Sequence, residues 1–240
     1  RLKHFEEALQ YHKRLSECDR EEADIEEDTL NIGDILWDMG KDEEALKCYQ
    51  KYASKSLFKK KGTITVDGLE RMVKYYGYEK KDWEKAKFFA KKALDMVKPE
   101  DGNSYIFAII TYMTCNYYLY NVEENKKLYS KAAIYFDTAC RGGREDYMSS
   151  PIYKPVKYRR LFDVEFYCGN IEEAQKYLET MKQSPRCASC HYGKCIDAIQ
   201  REILLCIVKN DKETAKKLIE ELFEVDPVSQ TARFYESLLS

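Results

Sequence analysis

The sequence contains little proline and little glycine. Among its 240 residues there are five prolines and ten glycines. Because these two residues interrupt helices most strongly, long stretches of the chain are free to be helical. Apolar residues recur at intervals of three and four rather than two, a spacing typical of helices and not of strands. The sequence therefore predicts an all-α protein.

The chain also lacks a long hydrophobic run and a large net charge. Its most apolar stretch, SYIFAIITYMTCNYYLYN, is interrupted by Thr, Asn and several Tyr, and it falls short of the roughly 18 apolar residues that a membrane helix needs. We interpret this stretch as a buried helix and expect no membrane partner. The formal net charge of -2 gives the chain no overall positive charge to attract phosphates, so we do not expect this chain itself to bind nucleic acid.

No motif of a known catalytic type is present. The sequence has no Gly-rich phosphate loop, no HExxH and no Ser or Cys nucleophile paired with an obvious His. Its many carboxylates are spaced as on exposed helix faces rather than as an isolated pair. We therefore expect that the protein is not an enzyme.

A repeated pattern is the most specific signal in the chain. Six segments align, namely FEEALQYHKRL, DEEALKCYQKY, WEKAKFFAKKA, YSKAAIYFDTA, IEEAQKYLETM and KETAKKLIEEL. They share one alanine position, occupied by Ala8, Ala45, Ala86, Ala132, Ala174 and Ala215. The positions four and seven residues later lie on the same helical face, and the small alanine lets a neighbouring helix approach closely.

Each aligned segment is interpreted as the second helix of a helical hairpin. Tight turns are expected five residues before five of the alanines, at Gly40, Lys81, Lys127, Gly169 and Asn210. Second helices are expected near 3–18, 42–58, 82–97, 123–140, 171–182 and 211–224. First helices are expected near 26–39, 66–78, 104–121, 155–168 and 194–208. A final helix from Val228 is expected to cover the apolar end of the stack.

This pattern resembles the tetratricopeptide repeat (TPR) family. The small-residue and aromatic positions of that repeat match Gly33, Leu36, Gly40, Ala45 and Tyr49. The resemblance implies a right-handed α-solenoid of about five and a half helical hairpins with a C-terminal capping helix. The alanines are separated by 37, 41, 46, 42 and 41 residues rather than by about 34, so a looser helical-hairpin solenoid is the alternative.

The domain organisation follows from the same pattern. We expect residues 1–240 to form one TPR-like solenoid. The segment RGGREDYMSSPIYKP holds two Gly, two Ser and two Pro, and it predicts a hinge at 141–155 between residues 1–140 and 156–240. Because Ala8 already belongs to a second helix without a first, we expect this chain to be a fragment of a longer one.

The resemblance also implies a function and a binding face. In TPR proteins the first helices line a concave groove that binds a protein or peptide segment, and this implies a non-catalytic scaffold. The residues expected to face such a partner are Asp34, Trp37, Asp38, Arg71, Tyr75, Tyr78, Tyr117, Arg159 and Asp163. The alternative is a peptide-sensing regulatory domain of a bacterial transcription regulator, similar to the peptide-pheromone receptors, whose DNA-binding domain would precede Arg1.

The nine cysteines are odd in number and mostly occur one per predicted helix, which favours reduced cysteines and a cytoplasmic location. Three of them lie in the stretch CASCHYGKC, where a structural zinc site would use Cys187, Cys190 and Cys195 as thiolate ligands. The stretch also fits the c-type haem pattern, for which only His4 and His12 remain as second axial ligands. A linker with packed cysteines would account for the same residues, and so would a redox switch. No further cofactor is predicted.

Overall fold

The computed structural model describes residues 2–18, 22–56, 63–141, 154–183, 190–191 and 194–240. These residues form twelve α-helices, which confirms the all-α prediction. They are α1 (Leu2–Ser16), α2 (Glu22–Asp38), α3 (Asp42–Ser56), α4 (Thr63–Lys74), α5 (Trp83–Met96), α6 (Asn103–Tyr118), α7 (Val122–Arg141), α8 (Lys154–Tyr167), α9 (Ile171–Lys182), α10 (Ile196–Val208), α11 (Lys212–Val225) and α12 (Gln230–Leu239).

Among the described residues, four short elements accompany the helices. A π-helical segment, Tyr75–Glu79, continues α4, and a 3₁₀ turn, Pro99–Asp101, precedes α6. Two antiparallel strands, β1 (Cys190–His191) and β2 (Lys194–Cys195), precede α10. Within the described ranges, none of the helices combines the length and the apolar character that crossing a bilayer requires.

The helices pair into five hairpins that share one kind of turn. Each turn contains one residue with positive φ, and these residues are Gly40 (74°), Lys81 (54°), Tyr120 (57°), Gly169 (85°) and Asn210 (57°). The next residue donates its N–H back to the end of the first helix, as Lys41 does to the carbonyl of Leu36 at 2.8 Å. This is the Schellman arrangement, in which a left-handed residue lets the chain reverse while the last helical carbonyls stay hydrogen-bonded.

Four of these turns confirm the sequence prediction, and the third turn corrects it. The sequence predicts that turn at Lys127, but Lys127 lies inside α7, and the turn residue is Tyr120. In the other four hairpins the repeated alanine is the fourth residue of the second helix, as Ala45 is in α3. In α7 that place belongs to Asn125, and Ala132 lies seven residues further along the helix. The alignment of the repeats is therefore displaced by two helical turns in the third hairpin, a shift that keeps the same helical face.

Asn125 is completely buried, and its polar atoms are satisfied. Its side-chain amide nitrogen donates to the carbonyls of Met113 at 2.9 Å and Tyr167 at 2.8 Å, and its oxygen accepts from Asn116 at 3.0 Å. Asn125 thus joins α6 and α7 to the end of α8 through hydrogen bonds. An amide that replaces a core alanine is tolerated because its hydrogen bonds are completed inside the protein.

The chain divides into two compact units, residues 1–104 and residues 105–240. In the first unit each helix from α1 to α5 packs against the next. Gly33 of α2 lets α3 approach closely, because a Cβ atom at Gly33 would lie 2.6 Å from Cε1 of Tyr49. Gly77 allows a similar approach, since a Cβ atom there would lie 2.5 Å from Cζ3 of Trp83.

The second unit contains the hairpins α6–α7, α8–α9 and α10–α11, followed by α12. Its largest fully buried side chains include Ile106, Met113, Phe162, Phe166 and Ile203. Helix α12 packs against both α10 and α11. The hinge predicted at 141–155 falls mainly on residues 142–153, which lie outside the described residues, and it stays a prediction.

Candidate functional site

A cleft opens in the first unit among α2, α3 and α4. Its volume is about 290 Å³, and the residues that line it are Asp34, Trp37, Asp38, Tyr49, Arg71 and Lys74. Four of these, Asp34, Trp37, Asp38 and Arg71, belong to the binding set expected from the sequence. Tyr49 and Lys74 complete the lining. The structure therefore brings together residues from three helices that are far apart in the chain.

An ion pair forms one wall of the cleft. Arg71 donates from Nη2 to Oδ2 of Asp34 at 3.1 Å and from Nε to Oδ1 at 3.3 Å. The hydroxyl of Tyr49 donates to Oδ1 of Asp34 at 2.8 Å. Burial raises the pKa of Tyr49, and the Asp34 carboxylate raises it further, so this phenol remains a hydrogen-bond donor at neutral pH. The fork of Arg71 and the phenol fix the orientation of the Asp34 carboxylate.

Aromatic rings form another part of the site. Trp37 packs edge-on against Tyr75 with ring centroids 5.8 Å apart, and it lies 6.1 Å from Tyr49. Trp37 is 8% exposed and Tyr75 is 3% exposed, so both contribute mainly to the core beneath the cleft. Tyr78 packs edge-on against Trp83 at 5.3 Å and is not part of the cleft lining.

The remaining sequence-predicted residues belong to the second unit. Tyr117 is half-buried and contacts Phe166 and Tyr167, with ring centroids 5.1 Å and 5.5 Å away. Burial raises the pKa of Tyr117. Arg159 donates to Oδ2 of Asp197 at 2.9 Å. Of the nine sequence-predicted residues, six therefore lie in the first unit and three in the second.

Asp163 lies in a buried ion pair with Arg201. Nη2 of Arg201 donates to Oδ2 of Asp163 at 2.6 Å, and Nη1 donates to the backbone carbonyl of Asp197 at 2.9 Å. Burial alone would lower the pKa of Arg201, but the carboxylates of Asp163 and Asp197 raise it. Burial raises the pKa of Asp163, and the Arg201 guanidinium opposes that shift. A charge pair this deep in the core links α8 to α10, and it leaves little of the Asp163 carboxylate exposed.

The two ion pairs occupy equivalent places. Asp34 and Asp163 both stand eleven residues before a repeated alanine, Ala45 and Ala174. Each bonds an arginine on the first helix of the next hairpin, 37 residues later in one pair and 38 in the other. Sequence reasoning alone misses Arg201, and the recurrence of this Asp-to-Arg spacing is the signal that could have found it.

The cysteine stretch is only partly described. Cys187 lies outside the described residues, and for Cys190 the backbone alone is described. The backbone places Cys190 directly opposite Cys195 in the antiparallel pair, and Cys195 is half-buried at the start of α10. Within the described ranges, no three His, Cys, Asp or Glu side chains gather closely enough to hold a metal ion. The zinc site stays a prediction, because the side chains of Cys187 and Cys190 fall outside those ranges.

Comparison of the chain with models of known protein families gives no match, and comparison with curated proteins gives none either.

Proposed function

We propose that the protein is a non-catalytic binding scaffold whose hairpins form a right-handed, TPR-like α-solenoid with α12 as its cap. The five hairpins with one shared turn geometry support this proposal, as does the recurring Asp–Arg pair between first helices. In stacked hairpins, equivalent positions of successive first helices recur at regular intervals along one surface. Such a surface suits an extended segment of a partner. A repeat fold supplies a surface and not a reaction.

The cleft among α2, α3 and α4 carries the proposal, with a peptide or protein segment as its ligand. Its volume lies near the lower end of the range for small-ligand pockets, about 300–1,000 Å³, which suits one or two side chains of a longer segment. Asp34 and Arg71 neutralise each other, and Asp38 and Lys74 add one charge of each sign. The lining is therefore neutral, with an aromatic component from Trp37, and it favours a segment of mixed polar and apolar character over a polyanion.

Selection from a library of displayed random peptides tests the proposal. The full chain should enrich peptides whose binding is lost when Lys74→Trp fills the cleft. Lys74 is exposed, so the substitution should leave the circular dichroism spectrum unchanged. Lys212→Trp, at an exposed lysine that begins α11, is the matched control and should bind as the wild type does.

Charge reversal gives a second readout of the same cleft. Lys74→Glu should change the affinity for the enriched peptides by about fivefold or more, because it replaces a rim cation by an anion. If no peptide is enriched, or if both tryptophan variants bind equally well, the cleft is not the binding site.

A further inference from the structure

Helix α5 carries a basic and aromatic stripe that is separate from the cleft. Its members are Lys85, Phe88, Phe89 and Lys92, at helical spacings of three, four and seven, so they share one face. Phe88 is 54% exposed, although large apolar side chains are usually buried. We propose that this stripe, the α5 stripe, is a docking surface for an acidic peptide segment with a central apolar side chain.

The rings of the stripe are anchored in the core. Phe89 stacks on the buried Tyr76 with ring centroids 5.5 Å apart and an angle of 14° between the planes. Phe88 packs edge-on against Phe89 at 5.2 Å. The exposed ring is therefore the outer end of an aromatic series that begins in the core of the first unit. A ring held in this way loses little conformational freedom when a partner covers it.

The two ammonium groups are also held in place. Nζ of Lys85 lies 4.2 Å from the centroid of the Tyr76 ring, and Nζ of Lys92 lies 4.4 Å from the centroid of Phe88. These are cation–π contacts, which restrain a lysine without neutralising its charge. Neither lysine forms an ion pair with a carboxylate in the part of the chain that the structure describes. The exposed Phe88 ring is thus accompanied by two positive charges that are not ion-paired within that part of the chain.

The spacing sets the size of the complementary segment. Lys85 and Lys92 are seven positions apart, a helical rise of about 10 Å, and three or four residues of extended peptide cover that distance. A segment with a carboxylate on each side of an apolar residue would place its acids near the two ammonium groups and its apolar side chain on Phe88. Charge complementarity and the exposed ring together select this occupant.

The surroundings of Phe88 disfavour a nucleic acid or a lipid surface. On the other side of Phe88, Glu84 is exposed, and Asp95 is paired with Lys91. A continuous polyanion would meet Glu84 and Asp95 as soon as it extended beyond the stripe. A short acidic segment can avoid both of these carboxylates. The surroundings of Phe88 therefore favour a peptide as the partner.

Fluorescence anisotropy of labelled peptides with the full chain tests the proposal. The probe is fluorescein-labelled GGDFDGG, and the control probes are GGNFNGG, without charge, and GGDADGG, without the ring. The acidic aromatic peptide should bind at least about fivefold more tightly than either control. Its affinity should fall as salt rises from about 20 to about 300 mM, because the charges involved are exposed.

Variants assign the binding to the α5 stripe. Phe88→Ser should weaken binding of the acidic aromatic peptide at least about fivefold, and the double change Lys85→Glu with Lys92→Glu should abolish it. Tyr11→Ser, which removes an exposed ring of α1, and Lys212→Glu with Lys217→Glu on α11 are matched controls and should bind as the wild type does. Lys74→Trp should also leave this binding unchanged, which separates this proposal from that of the cleft.

Three outcomes overturn the proposal. The first is that the acidic aromatic peptide binds no better than its controls. The second is an equal loss of binding in the stripe variants and the matched controls, which would show non-specific attraction. The third is that phosphatidylserine vesicles or an oligouridine bind through the stripe while the peptide does not.

Discussion

At the scale of single residues, the two equivalent ion pairs differ in burial. Asp163 and Arg201 are 8% and 9% exposed, whereas Asp34 and Arg71 sit at a solvent-facing cleft. A buried charge that loses its partner remains desolvated, while an exposed one is stabilised by water. The same chemical pair in the same repeat position should therefore contribute differently to stability.

Removing the carboxylate charge from each pair measures this difference. Asp163→Asn should lower the free energy of unfolding by up to about 3–5 kcal/mol, because the buried Arg201 loses its nearer counter-charge and keeps only the Asp197 carboxylate, 3.5 Å away. Asp34→Asn should cost less than about 1 kcal/mol. Urea unfolding followed by circular dichroism measures both. Equal losses in the two variants would contradict the assignment of burial as the cause.

Cysteine reactivity offers a second test at this scale. Burial raises the pKa of Cys168 to about 11, with a smaller effect from Glu165, so at pH 8 only about one thiol in a thousand is ionised. Cys18 is exposed. Iodoacetamide should alkylate Cys18 at least about tenfold faster than Cys168, as followed by mass spectrometry. In urea the two rates should converge, and a fast reaction of native Cys168 would show that its site is open.

At the scale of elements, each hairpin turn needs one residue with positive φ, and the residues at that position differ in how easily they adopt it. Glycine adopts positive φ without strain, whereas for other residues this conformation costs about 1–2 kcal/mol, and for asparagine less. Tyr120, 95% exposed, and Lys81 occupy this conformation. Their side chains thus strain the turn and contribute no core packing that would offset it.

Substitution by glycine should relieve that strain. Tyr120→Gly and Lys81→Gly should each raise the free energy of unfolding by about 0.5–1 kcal/mol, after the greater freedom of glycine in the unfolded chain is subtracted. Asn210→Gly should give a smaller gain. Thermal unfolding measures all three, and a loss of stability in Tyr120→Gly would show that its ring makes a contribution in the folded state.

The same turns show what sequence reasoning can reach. Gly40, Gly169 and Asn210 are recognisable because their residue types tolerate positive φ. Tyr120 is not, since tyrosine rarely adopts that conformation, and the sequence pattern predicts its turn at Lys127 instead. The register of α7 is not predictable from the sequence either. Asparagine is typical of exposed positions, and only the hydrogen bonds of Asn125 to α6 and α8 identify it as a core residue.

The cleft is predictable from sequence only in part. The resemblance to tetratricopeptide repeats selects Asp34, Trp37 and Arg71, because first helices line the groove of those repeats. It does not show that Asp34 and Arg71 satisfy each other, nor that Trp37 is mostly covered by Tyr75. Pairing and coverage depend on how consecutive hairpins pack, and the spacing within one helix contains no information about it.

At the scale of the whole molecule, each of the two units has its own core. In a chain of packed hairpins, the free energy of unfolding is approximately the sum of the contributions of each hairpin and of each interface between neighbouring hairpins. Damage to one core should therefore remain largely within its unit.

Gly33→Ala tests this locality. The added Cβ atom would lie 2.6 Å from the buried Tyr49 ring, and overpacking of this kind costs about 1–3 kcal/mol. Hydrogen exchange measured by mass spectrometry should show faster exchange in helices α2 to α5 and unchanged exchange in helices α10 to α12. Glu43→Ala, at an exposed position of α3, is the control and should change neither region. Equal acceleration in both regions would show that the two cores unfold together.

The constant geometry of the turns has a consequence for how such a chain can change in length. Within each of the five hairpins three residues, such as Met39–Lys41, separate the helical segments, whereas the connections between hairpins range from the six residues 97–102 to the thirteen residues 183–195. An insertion inside a turn would break its hydrogen bonds, but an insertion between hairpins leaves both helices in register. New segments, in evolution or by engineering, should therefore be accepted only in the connections between hairpins, at the end of each hairpin opposite its turn.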